Sequence, residues 1–255
     1  MSIGIFDSGL GGLTVAKAVM EVLPREKIIY FGDTARGPYG NKSPEVIAKY
    51  AHENAEFLFK KKVQAIVVGC NTASAVAGLE LRKHFPKIPI FEVITPAVRE
   101  ALRVTRQGRI GVIGTRTTIR SGAYAQWFRS CVGQACPLFV PLVEGGKIEE
   151  AATQEVARHY LTPLKRAKVD TLVLGCTHYP FLKPLLQEIM GRGVKLVDSA
   201  QTVAREVAML RNSKFEIRNS KLPAHQFYVS KKTPRFQELA ERWLDTKITL
   251  KLAKL

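Results

Sequence analysis

The sequence predicts an α/β protein whose two halves repeat one pattern of strands and helices. Two short apolar runs, 65–75 and 171–181, share β-branched residues, then Gly-Cys, then small or hydroxylated residues. Each run is typical of a buried strand, and the hydroxyl residues after it can cap a helix. Cys176 follows Cys70 by 106 residues. Because strands alternate with helices around both runs, the pattern indicates a duplicated β/α unit with parallel sheets and right-handed crossovers.

The first half contains four predicted strands. They are Ile3–Phe6, Lys27–Phe31, the run that ends at Cys70, and Ile88–Val93. Helices are predicted over Gly11–Val22, from Ser43 to about Lys61 with Pro44 just inside the cap, and after Cys70. Two Gly and a Pro near the end of residues 32–40 mark that stretch as a loop.

The second half repeats this order. Strands are predicted at Arg109–Ile113, Leu138–Val140, the run that ends at Cys176, and Val194–Val197. Helices are predicted from Thr115 through Arg129 and from about Glu149 to Lys165. Ile5 and Val112 are then equivalent, as are Phe31 and Phe139. A last strand, Gln226–Val229, and a helix, Pro234–Leu244, follow, and their docking position is not defined by the sequence.

Composition restricts the class of protein. The 255 residues suffice for one large domain or two smaller ones, and 24% charged with 46% hydrophobic residues is typical of a soluble globular chain. No apolar run reaches the length of a membrane span, and the N-terminus lacks the features of a signal peptide. Four cysteines are too few for a disulfide scaffold. We therefore expect a cytoplasmic protein.

The net charge of +17 raises the possibility of a nucleic-acid binder. Lys and Arg are, however, spread from Lys17 to Lys254, and no Gly-rich or aromatic RNA-binding signature accompanies them. A solvated basic surface that attracts anionic substrates fits this distribution better than a nucleic-acid partner does.

Polar residues follow four of the predicted strands, where ligands bind in open α/β sheets. These segments are Asp7-Ser8-Gly9, Cys70-Asn71-Thr72, Thr115 to Thr118, and Cys176-Thr177-His178. They converge on one cleft if the two halves face each other. A Cys at the start of a helix has a stabilised thiolate, and the free N–H groups there, with the Thr hydroxyls, can bind a carboxylate.

Other sites fit the spacing less well. Cys70, Cys176, His178 and Asp7 could bind a metal, but Cys-x-His matches no common zinc pattern and Cys-x-x-Cys is absent from the sequence. The glycines at 9, 11 and 12 have the wrong spacing for a dinucleotide fingerprint. Cys131 and Cys136 follow no predicted strand–helix turn, so we expect structural roles for them. The sequence thus predicts neither a metal nor a cofactor.

Several motifs closely resemble those of the glutamate racemases, in the aspartate/glutamate racemase family. They are Gly-Ile-Phe-Asp7-Ser8-Gly-Leu-Gly-Gly-Leu-Thr, Tyr-Phe-Gly-Asp33-Thr-Ala-Arg-Gly-Pro-Tyr39-Gly40, Gly-Cys70-Asn71-Thr72-Ala-Ser-Ala and Cys176-Thr177-His178-Tyr-Pro, with Gly-Val-Ile-Gly-Thr115 and Pro-Leu-Val-Glu144. The likeness covers nearly the whole chain. It implies two pseudo-symmetric α/β domains with the active site in the cleft between them. The domains would comprise residues 1–96 plus 209–255, and residues 97–208.

The resemblance also implies site residues and partners. The catalytic set is Cys70 and Cys176, helped by Asp7 and His178, with Asp33 and Glu144 as auxiliary candidates. The substrate contacts are Asp7, Ser8, Tyr39, Gly40, Asn71, Thr72, Thr115, Thr118, Thr177 and His178. The family makes D-glutamate for peptidoglycan without a cofactor, and it often forms homodimers. Aspartate or hydantoin racemisation, and a basic protein that binds nucleic acid or gyrase, remain the alternatives.

Overall fold

The structure is a computed structural model that describes residues 1–214 and 223–253. Its elements alternate as the sequence predicts, and they form two sheets. The elements up to residue 104 are β1 (Ser2–Asp7), α1 (Leu13–Val22), β2 (Lys27–Gly32), α2 (Pro44–Lys60), β3 (Ala65–Val68), α3 (Asn71–His84), β4 (Ile90–Glu92) and α4 (Ile94–Val104).

The second group of elements begins at Ile110. It comprises β5 (Ile110–Gly114), α5 (Arg116–Arg120), β6 (Cys131–Ala135), α6 (Phe139–Glu144), α7 (Ala151–Arg166), β7 (Thr171–Gly175), α8 (Lys183–Met190), β8 (Lys195–Asp198) and α9 (Ser199–Lys214), with 3₁₀ turns at Ala125–Trp127 and Tyr179–Leu182. The chain ends with β9 (Gln226–Val229), α10 (Pro234–Leu244) and β10 (Leu250–Leu252).

Both sheets are parallel, and four strands of the first sheet, β2-β1-β3-β4, repeat the order of the second. The first sheet runs β10-β9-β2-β1-β3-β4 and the second runs β6-β5-β7-β8. The shared order places β3 and β7, which end just before Cys70 and Cys176, at equivalent positions. The two C-terminal strands extend the first sheet beyond β2 through the pairing of β9 with β2. The prediction of two parallel-sheet α/β domains with a common topology is therefore confirmed.

The central strands are apolar because both of their faces are covered by helices. Every residue of β3, β5 and β7 is buried. Two of the helices that follow strands begin with caps that the sequence supplies: the amide of Val46 donates to Ser43 Oγ before α2, and the amide of Thr118 donates to Thr115 Oγ1 before α5. These caps satisfy backbone groups that would otherwise lack a partner at a helix start.

Two predicted elements of the second half are wrong. The helix predicted through Arg129 ends at Arg120, because the chain turns at Gly122, which has a φ of +68°. The predicted strand Leu138–Val140 overlaps the start of α6, since a three-residue apolar run does not separate a strand from a helix turn. The partner of β5 is instead Cys131–Ala135, so Phe139 is not equivalent to Phe31.

Candidate functional site

The carboxyl ends of the two sheets face one cavity of about 540 Å³. Residues that follow β1, β2, β3, β5 and β7 line it, so both domains contribute. The predicted site residues in its wall are Ser8, Tyr39, Gly40, Cys70, Asn71, Thr72, Thr115, Glu144, Cys176, Thr177 and His178. Asp7 and Thr118 are buried behind that wall. The structure therefore brings together the side chains that sequence analysis singled out.

Cys70 lies at the N-terminus of α3 on the first-domain side of the cavity. Its Sγ accepts a hydrogen bond from the amide of Ala73 at 3.5 Å and donates to Ser8 Oγ at 3.6 Å. Burial, reinforced by the charge of Asp7, raises the pKa of the Cys70 thiol to about 12. Cys70 is therefore protonated near neutral pH and is able to donate a proton.

Cys176 follows β7 on the opposite side, beside a histidine and a carboxylate. Its Sγ lies 3.8 Å from His178 Nδ1, and His178 Nε2 lies 2.8 Å from Glu144 Oε1. Burial alone would lower the pKa of His178, but the hydrogen bonds and charges of Cys176 and Glu144 outweigh it and raise that pKa to about 10. His178 is thus positively charged near neutral pH, and its imidazolium faces Cys176 Sγ.

Asp7, the last residue of β1, is fully enclosed near Cys70. Its Oδ2 accepts a hydrogen bond from the amide of Gly9 at 2.8 Å, whereas Oδ1 has no hydrogen-bond partner among the residues that the structure describes. Burial raises the pKa of Asp7, opposed by the charge of His178 and by the amides of Gly9 and Gly12. A buried carboxylate oxygen without a donor is costly, so this atom is available to a bound ligand or to a shared proton.

The hydroxyls of Thr72 and Thr115, which line the cavity, meet the hydroxyl of the buried Thr118 behind them. Thr72 Oγ1 lies 2.9 Å from Thr115 Oγ1 and 3.3 Å from Thr118 Oγ1, and the last two atoms are 2.9 Å apart. Thr72 belongs to the first turn of α3, whose free amides carry partial positive charge. Because each hydroxyl can rotate and donate, this cluster is suited to an anionic oxygen.

Asn71 is oriented by the second domain. The hydroxyl of Tyr124 donates to Asn71 Oδ1 at 2.6 Å, and Asn71 Nδ2 donates to Ser199 Oγ at 3.1 Å. All three side chains are buried. Their contacts fix which way the amide points, so Asn71 presents a defined edge to the cavity.

Tyr39 is positioned by a polar network around Asp33. The Tyr39 hydroxyl donates to Asp33 Oδ2 and accepts from Asn54 Nδ2 at 3.0 Å. Arg36 Nε also donates to Asp33 Oδ2, at 2.7 Å, and Ser230 Oγ donates to Oδ1 at 2.9 Å. Both oxygens of Asp33 are therefore engaged, and Asp33 does not line the cavity. Its geometry indicates support of the Tyr39 loop.

Close backbone contacts join the two domains around the cavity. Thr14 Oγ1 donates to the carbonyl of Thr177 at 3.0 Å, and Thr117 Oγ1 donates to the carbonyl of Gly40 at 3.0 Å. Gly11 approaches Thr177 so closely that a Cβ added at Gly11 would lie 2.1 Å from Thr177 Oγ1. These contacts place the two halves of the site at a defined separation.

One wall of the cavity was not predicted from the sequence. Arg116 and several residues of the C-terminal segment line it in addition to the predicted set, including Thr233, Arg235, Phe236 and Leu239. The helix α10 was predicted, but no sequence signal indicated where it docks. Arg116 lies within the predicted Thr115 to Thr118 segment, and that position could have identified it.

Cys131 and Cys136 lie outside the cavity wall. Cys131 begins β6, and Cys136 is buried in the core. Within the described ranges, no His, Cys, Asp and Glu side chains form a group of three or more that could hold a metal ion. None of the described helices is both long and apolar enough to cross a membrane.

Comparison with known proteins assigns the family. The model of the Asp/Glu/hydantoin racemase family matches residues 13–207. The glutamate racemase of Geobacter metallireducens is 49% identical over 254 residues, which cover 97% of this chain and 94% of that protein. A glutamate racemase isoform from Bacillus anthracis superposes with a TM-score of 0.95 at 36% identity, covering 100% of this chain and 97% of that one. The Francisella tularensis glutamate racemase, solved with D-glutamate, gives a TM-score of 0.93 at 36% identity, covering 99% and 97%. The chain therefore belongs to the Asp/Glu/hydantoin racemase family, together with the glutamate racemases.

Proposed function

We propose that this chain interconverts L- and D-glutamate by a two-base reaction that needs no cofactor. The main support is the placement of Cys70 and Cys176 at equivalent strand ends of two domains, where both line one cavity. Relatives that are 41–52% identical are named glutamate racemase. Inversion of an α-carbon without a cofactor requires a base on one face and an acid on the other.

Following the family resemblance, we assign Cys176 to the face that deprotonates L-glutamate and Cys70 to the face that deprotonates D-glutamate. A thiolate at Cys176 removes the α-proton of L-glutamate, which leaves a planar carbanion. The thiol of Cys70 then gives its proton to the opposite face, which yields D-glutamate with a thiol at Cys176 and a thiolate at Cys70. The reverse reaction uses the same groups with exchanged roles, and a net proton transfer back to Cys70 restores the starting state.

The neighbouring side chains assist these transfers. His178, held by Glu144, balances the charge of a Cys176 thiolate at a distance of 3.8 Å. Asp7 lies on the Cys70 side, where its unpaired Oδ1 is placed to accept or return a proton. We infer that Glu144 acts through His178, because its carboxylate touches the imidazole.

The polar wall accounts for binding of an amino dicarboxylate. We assign the α-carboxylate to the hydroxyl cluster of Thr72, Thr115 and Thr118, where donors also stabilise the charge of the carbanion. The remaining substrate contacts would come from Asp7, Ser8, Tyr39, Gly40, Asn71, Thr177 and His178. These roles follow the family resemblance and the position of each residue at the cavity.

The biological setting rests on the resemblance. We propose that D-glutamate from this enzyme enters peptidoglycan, and that the protein acts in the cytoplasm as a homodimer. We also retain residues 1–96 plus 209–255 and residues 97–208 as the two domains. The pairing of β9 with β2 supports a C-terminal return to the first domain.

Polarimetry without added cofactor tests this proposal. The assay compares D- and L-glutamate with both enantiomers of aspartate and with a hydantoin. We expect racemisation of glutamate, with deuterium at the α-carbon of the product formed in heavy water. Turnover of aspartate or of the hydantoin alone would instead favour the corresponding activity of the family.

Cysteine variants test the assignment of the bases. Cys70→Ala and Cys176→Ala should each lower racemisation by at least about 10²–10⁴-fold, the scale of a lost acid or base. Cys131→Ala, which changes a partly exposed cysteine outside the cavity, is the matched control and should stay near the wild-type rate. Near-full activity in either of the first two variants would show that the two-thiol mechanism is wrong.

A further inference from the structure

Arg235 lines the cavity. It lies in the first turn of α10, which follows β9 of the first sheet, and its side chain is half-exposed. Arg235 Nη2 donates to the backbone carbonyl of Glu144 at 2.8 Å, and Nη1 lies 3.2 Å from both carboxylate oxygens of Glu238. Glu144 ends α6, on the second-domain side of the cavity. One guanidinium therefore ties the C-terminal helix to the residue that binds His178.

The backbone at Glu144 needs such a support. The helix α6 has six residues, and the glycines at 145 and 146 follow it, with Gly146 at a φ of +73°. The carboxylate of Glu144 is 44% exposed, so water competes with His178 for it. A donor on the carbonyl of Glu144 restrains the end of this short helix, and the carboxylate is thereby kept on the imidazole.

The same helix also contacts the imidazole directly. Trp243, two turns after Arg235, packs edge-on against the His178 ring with centroids 5.7 Å apart and an interplanar angle of 84°. The indole limits the rotation of the ring, while Arg235 limits the movement of its carboxylate partner. The helix α10 thus holds both members of the His178–Glu144 pair.

We propose that Arg235 is a positioning residue that, by donating to the Glu144 carbonyl, keeps the Glu144 carboxylate on His178. The importance of Arg235 for catalysis rests on the proposed function, whereas the coupling of Arg235 to His178 through Glu144 does not. Arg235 is assigned no contact with the reacting atoms. It acts through the backbone of Glu144, then its carboxylate, then the imidazole beside Cys176.

Several charged groups face His178 and determine its titration. Cys176 lies at the end of β7, Glu144 at the end of α6, and Asp7 at the end of β1. Trp243, from α10, carries no charge. When the bond from Arg235 is lost, Glu144 is the member of this set that can turn away to water, because it is the most exposed. Burial is then compensated by Cys176 with less help from Glu144, and the pKa of His178 falls.

The direction of the change in the His178 pKa distinguishes a positioning role of Arg235 from a direct effect of its charge. Removal of a nearby positive charge favours protonation of a histidine, so loss of the Arg235 charge alone would raise the pKa of His178. Loss of the Glu144 contact lowers it. An opposite charge at hydrogen-bond distance shifts a pKa by roughly 1–3 units, so partial loss of this contact should lower the His178 titration midpoint by about one unit.

Histidine-labelled NMR titration of the full chain without substrate tests the proposal. The chain has five histidines, and a His178→Asn spectrum assigns the relevant signal. We expect Arg235→Met to lower the midpoint of His178 by about one pH unit. Arg242→Met, which removes the same charge from an exposed position of α10, should leave the midpoint in place.

Arg235→Lys should partly restore the titration midpoint of His178. A lysine keeps the charge and can donate one hydrogen bond to the Glu144 carbonyl, so the midpoint should return at least halfway toward the wild-type value. An unchanged or raised midpoint in folded Arg235→Met overturns the proposal, and so does an equal fall in Arg242→Met. The titration needs no turnover, so it tests the role of Arg235 even if the wild-type chain does not racemise glutamate. Absence of racemisation would refute the proposed function and would not bear on the role of Arg235.

Discussion

A methyl group at Gly11 would test how closely the two domains must approach. Gly11 lies in the loop between β1 and α1. A Cβ added there would lie 2.1 Å from Thr177 Oγ1 and 2.6 Å from His178 Nδ1 and Cε1. Real Cβ atoms essentially never show contacts under 3.0 Å, so Gly11→Ala requires movement of side chains that line the cavity or a wider cleft.

The size of that movement sets the expected loss of activity. Ordinary contact begins near 3.4 Å, so Thr177 must retreat by about 1.3 Å and His178 by about 0.8 Å. Misplacement of about 1 Å in a catalytic arrangement costs about 10²-fold in rate. Overpacking of a well-packed region costs about 1–3 kcal/mol of stability. We therefore expect Gly11→Ala to lose about 10²-fold in kcat/KM while the protein still folds.

Racemisation kinetics in both directions, together with urea unfolding, measure these two effects. Gly193→Ala is the matched control, because Gly193 is exposed and a Cβ there has no atom within 4 Å. It should change kcat/KM by less than about twofold and stability by less than about 0.5 kcal/mol. Wild-type activity in folded Gly11→Ala would refute the reasoning, because the methyl would then fit without displacing Thr177 or His178.

Three further predictions concern the site itself. Thr118→Val should raise KM for glutamate by about tenfold or more, since a hydrogen bond to a charged group is worth about 1.5–3 kcal/mol. An unchanged KM would show that Thr118 does not contribute to binding of the carboxylate. The pKa of Cys70 is about 12 and that of Cys131 is about 11. Cys70 should therefore react with iodoacetamide at pH 8 at least about tenfold more slowly than Cys131, and its reaction rate should rise with pH. Equal rates in mass-spectrometric time courses would contradict the buried, protonated state of Cys70. Asp7→Asn should lower kcat more for D-glutamate, and His178→Asn should lower it more for L-glutamate. Because the enantiomers are equal in energy, kcat/KM must stay equal in the two directions. Equal falls in kcat in both directions for both variants would make these residues general binding groups.

The parts of the fold that could be predicted are those with a strong local pattern. Buried central strands such as β3 and β7 appear in the sequence as short β-branched runs, and the hydroxyl and cysteine caps mark where the next helix begins. The positions of Cys70 and Cys176 followed from these runs. Parallel topology then places their ends at one edge of each sheet, which is why the cavity residues could be anticipated.

The parts that could not be predicted depend on weak patterns or distant contacts. The edge strand β6 is only partly buried and includes Gly133, so its residues lack the apolar signature of a central strand. The helix α10 has an evident helical pattern, but its place in the cavity wall depends on contacts such as that of Arg235 with Glu144, 91 residues apart. Asp33 resembles a catalytic acid in its motif, and only the three side-chain donors around its carboxylate reveal its supporting role.

The common strand order of the two sheets has a consequence for handedness. Because the carboxyl ends of both sheets face one cavity, the order β2-β1-β3-β4 and its repeat β6-β5-β7-β8 present equivalent strand ends to that cavity. Equivalent groups on two sides of a cavity can act on the two faces of a flat species. A chain of L-amino acids cannot contain a mirror plane, yet a repeated half offers equivalent groups to both faces. Duplication of one β/α segment is therefore a direct evolutionary route to a site that treats mirror-image molecules alike.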